Sequence, residues 1–99
     1  MKLISYTTKP DHTADNRAKI EAVFAVLHDA GFPDLSYMVV EAGEGEFFHI
    51  VDATPAALEM LQALPAFQAF STTTSERQAA PSVRREARVV GNYGSLVRQ

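Results

Sequence analysis

The periodicity of this chain constrains its fold more than any other feature, because strand–helix–strand is written in it twice. The first unit runs from Leu3 to Glu41 and the second from Glu46 to Val90. In each, a helical spacing of apolar residues is flanked by strand-like runs. With 99 residues the whole chain, 1–99, is one domain with a modest core.

Leu3-Ile4-Ser5-Tyr6-Thr7-Thr8 is rich in β-branched and aromatic residues and stops at Lys9-Pro10, as a strand does. Asp11 to Asp15 offers several helix N-cap candidates. Ile20, Val23, Phe24 and Leu27 then form one apolar stripe, and Gly31 with Pro33 ends the helix. Leu35 to Val40 is the second strand, and Gly43-Glu44-Gly45 reads as a hairpin connection with a solvated tip. The apolar run Phe47-Phe48-His49-Ile50-Val51 predicts a central strand covered on both faces.

Thr54-Pro55 starts the next helix, with Leu58, Leu61 and Leu64 at spacing three. Pro65 either interrupts that helix or restarts it, and Phe67 and Phe70 follow at i, i+3. Ser71 to Gln78 is polar with mixed propensity, Pro81 ends the segment, and Val83 to Val90 reads as the last strand. Gly91-Asn92-Tyr93-Gly94 is turn-prone. The order βαββαβ is the ferredoxin-like arrangement, an α+β fold with both helices on one face of a four-stranded antiparallel sheet. The strands are too apolar for the other face to meet water, so a second copy packed sheet to sheet, a homodimer, is expected.

The net charge is −3, and the only basic cluster, Arg84, Arg85 and Arg88, has Glu86 inside it. Nucleic acid needs a concentrated basic surface, so it is not an expected partner. The chain has no cysteine, which excludes disulfide and thiolate chemistry. No stretch approaches the ~20 apolar residues of a membrane span, and the first residues enter a strand pattern directly. The expected location is the cytoplasm, without a membrane partner.

His49 is the strongest single candidate for chemistry. It alternates with Phe47 and Val51 on one strand face, and imidazole suits a general base or proton shuttle near neutral pH. The same residue can equally be a core histidine satisfied by a neighbour. Tyr6 and Tyr37 can line a pocket or pack in the core. Phe67 and Phe70 can be core or pocket wall. Arg85, which shares a strand face with Val83, Ala87 and Val89, can anchor an anionic ligand group, form an interface salt bridge or lie at a solvated edge. His12 and His28 read as surface residues, and with His49 they lack metal-ligand spacing, so no metal site is expected. Glu41, Glu44 and Glu46 read as a solvated cluster, and Ser71 to Ser75 forms no nucleophile–base pattern.

The element order, the length, Phe47-Phe48-His49-Ile50-Val51 and Leu64-Pro65-Ala66-Phe67-Gln68-Ala69-Phe70 together resemble the dimeric α+β barrel superfamily, in particular its antibiotic-biosynthesis-monooxygenase-like (ABM-like) group. The second stretch is similar to that group's small-residue, Pro, x, Phe, x, x, Phe segment. The resemblance spans nearly the whole chain. It implies a homodimeric barrel and a pocket between the sheet and its helices or the partner. The activities it implies range from oxidation of polycyclic phenols by molecular oxygen, without a cofactor, to haem degradation. The haem-degrading branch uses an Asn on the first strand, a Trp before the Phe-containing stretch and a His after it. Here Tyr6 and Thr7, Leu61 and Ser71 fall near those positions, which disfavours haem. What remains is a monooxygenase-like enzyme for a small aromatic or polyketide-type ligand, with His49 as base or shuttle, Tyr6 and Tyr37 orienting, and Phe67 and Phe70 as walls. The alternative is a non-catalytic dimeric module.

Overall fold

The computed structural model describes residues 1–94 and Leu96. Its strands are β1 (Lys2–Thr7), β2 (Leu35–Ala42), β3 (Glu46–Ala53) and β4 (Val83–Glu86). Its helices are α1 (Thr13–Ala30), α2 (Pro55–Ala63), α3 (Pro65–Ser71) and the single turn α4 (Thr74–Arg77). The sheet runs β2-β3-β1-β4 with every neighbour antiparallel. This is the expected ferredoxin-like α+β arrangement, with β3 and β1 at the centre.

The apolar spacing of α1 does what it predicts. Ile20 and Val23 are buried, and Phe24 and Leu27 pack against the same core. Gly31 takes the left-handed conformation, φ 67°, and its N–H bonds back to the Leu27 carbonyl. The entry differs from expectation. Pro10–His12 forms a turn of 3-10 helix leading into α1, and no side chain caps it. Thr54 does cap α2, accepting from the Ala57 N–H at 3.2 Å. Pro65 restarts the helix rather than merely interrupting it. Leu64, as the residue before proline, is held extended at ψ 129°. The bend lets Leu61 of α2 and Phe70 of α3 both reach the core. Burying each such side chain contributes about 1.5–3 kcal/mol.

Strand register sets which side chains share a face. Phe47 lies opposite Tyr6, and His49 lies between Ile4 on β1 and Val39 on β2. These side chains face the helices. Leu3, Ile50 and Met38 form a row on the other face, and Ser5, Phe48 and Val40 form a second. The expectation that β3 is covered on both faces is met on the helix side only within one chain, and Val40 remains 43% exposed.

The last strand is shorter than the predicted Val83–Val90. Glu86 pairs with Lys2, the first residue of β1, and Ala87 N–H reaches the Met1 carbonyl at 2.9 Å. Beyond that point the chain leaves the sheet, and Val90 is 90% exposed.

The hairpin is not merely a solvated tip. Glu41 receives both Nε and an Nη of Arg17, at 2.9 and 3.0 Å, and the Gly45 N–H at 2.9 Å. Those bonds hold the Glu41 carboxyl below its usual range and tie the hairpin to α1. Gly45 has φ +92°, and a Cβ there would sit 2.8 Å from Thr8 Oγ1. Gly43 has φ +58° but open space around it. Gly45→Ala is therefore expected to lower unfolding free energy by about 2–3 kcal/mol and Gly43→Ala by about 1 kcal/mol. Urea denaturation of the two variants checks this order.

Candidate functional site

A cavity of about 650 Å³ lies between the helix-facing side of the sheet and α2, α3 and α4. Ile4, Val51, Leu61, Phe67 and Phe70 supply apolar walls, and Tyr6, Tyr37 and His49 supply a polar end. Lys2, Arg84, Arg85 and Glu86 also border it. The size suits a small organic ligand.

His49 is 3% exposed, with its ring stacked on Phe70 at 5.4 Å between centroids. Its two nitrogens are both engaged: Nε2 with the Tyr6 hydroxyl and Nδ1 with the Tyr37 hydroxyl, each at 2.8 Å. The network continues behind Tyr6. Asn16 Nδ2 donates to the Tyr6 hydroxyl at 3.0 Å, and Arg77 Nε donates to Asn16 Oδ1 at 2.9 Å. Arg77 also donates to the Phe70 carbonyl at 2.7 Å and to the Thr73 carbonyl at 3.1 Å. Its guanidinium sits 5.2 Å from the Phe70 ring centroid. Arg77 is 1% exposed and Asn16 fully buried.

Burial pushes the His49 imidazolium pKa down to about 4, so the ring is neutral near pH 7. Burial pushes the Tyr6 hydroxyl up to about 12 against the opposing pull of Asn16 and Arg77. It raises Tyr37 too, helped by the neighbouring Tyr6. A neutral imidazole has one donor and one acceptor, and each phenol has one proton.

These counts give the network a direction. Arg77 can only donate, so the Asn16 oxygen must face it and the Asn16 amide N–H must face Tyr6. Tyr6, already accepting, sends its proton to His49 Nε2. Nδ1 then carries the ring proton and donates to Tyr37. The Tyr37 hydroxyl proton is left without an acceptor among the described residues, on the wall of the cavity. The reverse order would strand the proton of Tyr6, which is only 7% exposed, at a cost of about 1–3 kcal/mol. The tautomer assigned on this ground is therefore Nδ1–H.

Arg77 makes no ion pair among the described residues, though a buried cation ordinarily needs a counter-charge. Its charge pulls on the Tyr6 hydroxyl through Asn16 and polarises the hydrogen-bond chain behind the cavity. The cavity thus ends in a hydrogen-bond donor with positive charge behind it, an arrangement that favours an oxyanion.

Of the sequence candidates, Tyr6, Tyr37, His49, Phe67 and Phe70 come together around one cavity. Arg85 does not join their row. It pairs with Leu3, on the sheet face away from the helices, and only borders the cavity. Arg84 pairs with Ile4 and occupies the cavity face instead. The expected grouping of Arg85 with Val83 on one strand face holds, and the register puts that face away from the helices. Asn16 and Arg77 were missed. Asn16 lies four residues before Ile20, on the apolar stripe of α1, whereas Arg77 stands on α4, beyond the end of the helix that carries Phe70. A polar residue in a buried stripe was the available signal for Asn16; Arg77 had none. His12 and His28 lie outside the cavity lining. Among the described residues no group of three His, Cys, Asp or Glu side chains is placed to hold a metal ion, and no helix is long and apolar enough to cross a membrane.

The His49 shift has a consequence for stability. The folded-state pKa of about 4 lies below the ordinary imidazole value of 6.5, so the unfolded chain binds more protons between those values. The contribution is complete above about pH 6.5 and is lost as pH falls toward 4. The expected loss is about 3 kcal/mol over that window. Urea unfolding between pH 7.5 and 4.5, compared with His49→Gln, should show a correspondingly flatter profile in the variant.

No family model matches the sequence, and no curated protein matches it significantly. Solved structures do. One, named "putative antibiotic biosynthesis monooxygenase", from Bacteroides thetaiotaomicron, is 14% identical, with a TM-score of 0.75 over 96% of this chain and 92% of that one. Another of the same name, from Caulobacter crescentus, is 17% identical, with a TM-score of 0.68 over 85% of this chain and 82% of that one. A Mycobacterium tuberculosis protein is 16% identical, with a TM-score of 0.71 over 94% and 96% of the two chains. At such identities the likeness speaks for architecture: this chain has the ferredoxin-like fold of the antibiotic biosynthesis monooxygenase structures.

Proposed function

We propose that this protein is a small cofactor-independent monooxygenase-like enzyme that takes an aromatic or polyketide-type metabolite and ionises it at a phenolic or enolic hydroxyl. The observation that carries this reading is the unpartnered Tyr37 proton at the polar end of an apolar cavity, backed through His49, Tyr6 and Asn16 by Arg77. The names of two structurally similar proteins point the same way.

The substrate hydroxyl meets Tyr37. For proton removal the ring switches tautomer, so that Nε2–H faces Tyr6, whose own proton loses its acceptor at a cost of about 1–3 kcal/mol, and Nδ1 is free to accept. Tyr37 then passes its proton to Nδ1 as it receives the substrate's. The products are an oxyanion bonded to Tyr37 and an imidazolium beside it. In the empty site that imidazolium is disfavoured, since burial holds the pKa at about 4; the oxyanion supplies the counter-charge that makes it accessible. The electron-rich anion then reacts with molecular oxygen. A ring CH2, in the keto form, becomes a carbonyl, with one oxygen atom in the product and the other leaving as water. Apolar walls keep bulk water from the anion.

A second reading, a non-catalytic ligand-binding module, is favoured by one observation: both His49 nitrogens are already occupied. Oxygen uptake separates the two. With a panel of anthrones and dihydroxynaphthalenes, wild-type protein is expected to raise uptake above the uncatalysed rate. His49→Ala should lower the gain about 100-fold or more with unchanged circular dichroism. Binding without uptake in the wild type would favour the module, and full turnover by His49→Ala would remove His49 from the mechanism.

We further propose that the apolar sheet face of Leu3, Met38, Val40, Phe48 and Ile50 is covered by a second copy about a two-fold axis. Light scattering should give twice the chain mass down to low micromolar concentration, and Phe48→Asp should give monomer. A wild-type monomer would overturn the dimer.

A further inference from the structure

We infer that the substrate carries an anionic group, a carboxylate or its equivalent, at the end opposite its reactive hydroxyl, and that Arg84 holds it. The inference deepens the proposed function and rests on it for the hydroxyl end.

The sheet register places the two ends. Arg84 pairs with Ile4, and Ile4 pairs with His49, so the three stand in one row across β4, β1 and β3 on the cavity face. Neighbouring strands lie about 4.8 Å apart, which puts the Arg84 backbone about 10 Å from that of His49, whose Nδ1 holds the Tyr37 hydroxyl of the next strand at 2.8 Å. That is about the span of two fused aromatic rings with a substituent at each end. Ile4 forms the floor between them, and Phe67 and Phe70 line the same space.

Charge points to the sign. The charged residues bordering the cavity are Lys2, Arg84, Arg85 and Glu86. Glu86 is the one carboxylate, and it is already engaged by Lys2 and lies 3.8 Å from the terminal ammonium. Arg84 has no carboxylate partner among the described residues. A chain with net charge −3 has thus gathered unmatched positive charge at this opening. A guanidinium offers a planar fork suited to a carboxylate, and selection by such a group falls with salt.

The matched probes are 6-hydroxy-2-naphthoate, with hydroxyl and carboxylate at opposite ends of two rings, and 2-naphthol, which lacks the carboxylate. Their affinities for the full chain are read from probe fluorescence. In low salt the naphthoate should bind about 5- to 10-fold more tightly than naphthol. The ratio should shrink toward one at about 0.5 M salt. Arg84→Gln should abolish the ratio while naphthol affinity stays, and Arg88→Gln, which removes the same charge outside the cavity lining, should preserve it. A ratio of one in the wild type, an unchanged ratio in Arg84→Gln, or loss of the ratio in Arg85→Gln in its place would overturn the inference. In those cases naphthol binding that still weakens in Tyr37→Phe leaves the hydroxyl-end reading standing. Naphthol binding indifferent to Tyr37→Phe overturns that reading as well.

Discussion

The rest of the site depends on one unusual group, a guanidinium buried without a carboxylate. Arg77 bonds to two backbone carbonyls on the α3 side and to the Asn16 oxygen on α1. It therefore fixes how the last helical turn docks against the longest helix. A donor-only group at that point also leaves Asn16 one orientation, and every proton further along follows from that choice. A carboxylate partner would cancel the charge that makes the far end attractive to an anion. The arrangement accepts the desolvation of a cation in exchange for a site whose polarity is set before any ligand arrives.

The parts that carry the network are of unequal stiffness. Tyr6, Tyr37 and His49 stand on three adjacent strands whose ladder bonds set their spacing. Asn16 stands on a helix of 18 residues. Arg77 stands on a single turn that owes its position to the bonds it makes. Loss of those bonds would free the turn and, with it, the orientation of the whole chain.

Much of the fold was legible in the residues, because periodicity and turn chemistry agreed. Thr54-Pro55, Gly31 and Pro65 each marked an element end where one occurs, and the run around His49 marked a central strand. The last strand was overestimated because its length depends on its pairing with β1, which Val83–Val90 does not encode by itself. The aromatic half of the site was legible as well, since Tyr6, Tyr37 and His49 were polar groups in apolar strands. Asn16 and Arg77 were not. Asn16 continues the apolar stripe of α1 but sits among polar residues, Arg77 stands in a polar stretch, and the packing of α1 against α3 and α4 is what brings the two together. Arg84 and Arg85 are adjacent, and no local signal says which of two neighbours faces a cavity until the register is known.

The bend at Leu64–Pro65 divides the cavity in a way that bears on how such proteins diverge. The reactive polar groups stand on the sheet and on α1, whereas much of the opposite wall comes from α2 and α3, two helices of 9 and 7 residues. Helices so short have little stability of their own and take their position from the side chains beneath them. Exchanging Leu58, Leu61 or Phe67 can reshape the wall without touching a proton-carrying group, whereas Phe70 stacks on His49. Under the proposed function, selectivity and chemistry stand on separate segments, so a descendant of this chain can change what it accepts while inheriting unchanged the way it handles it.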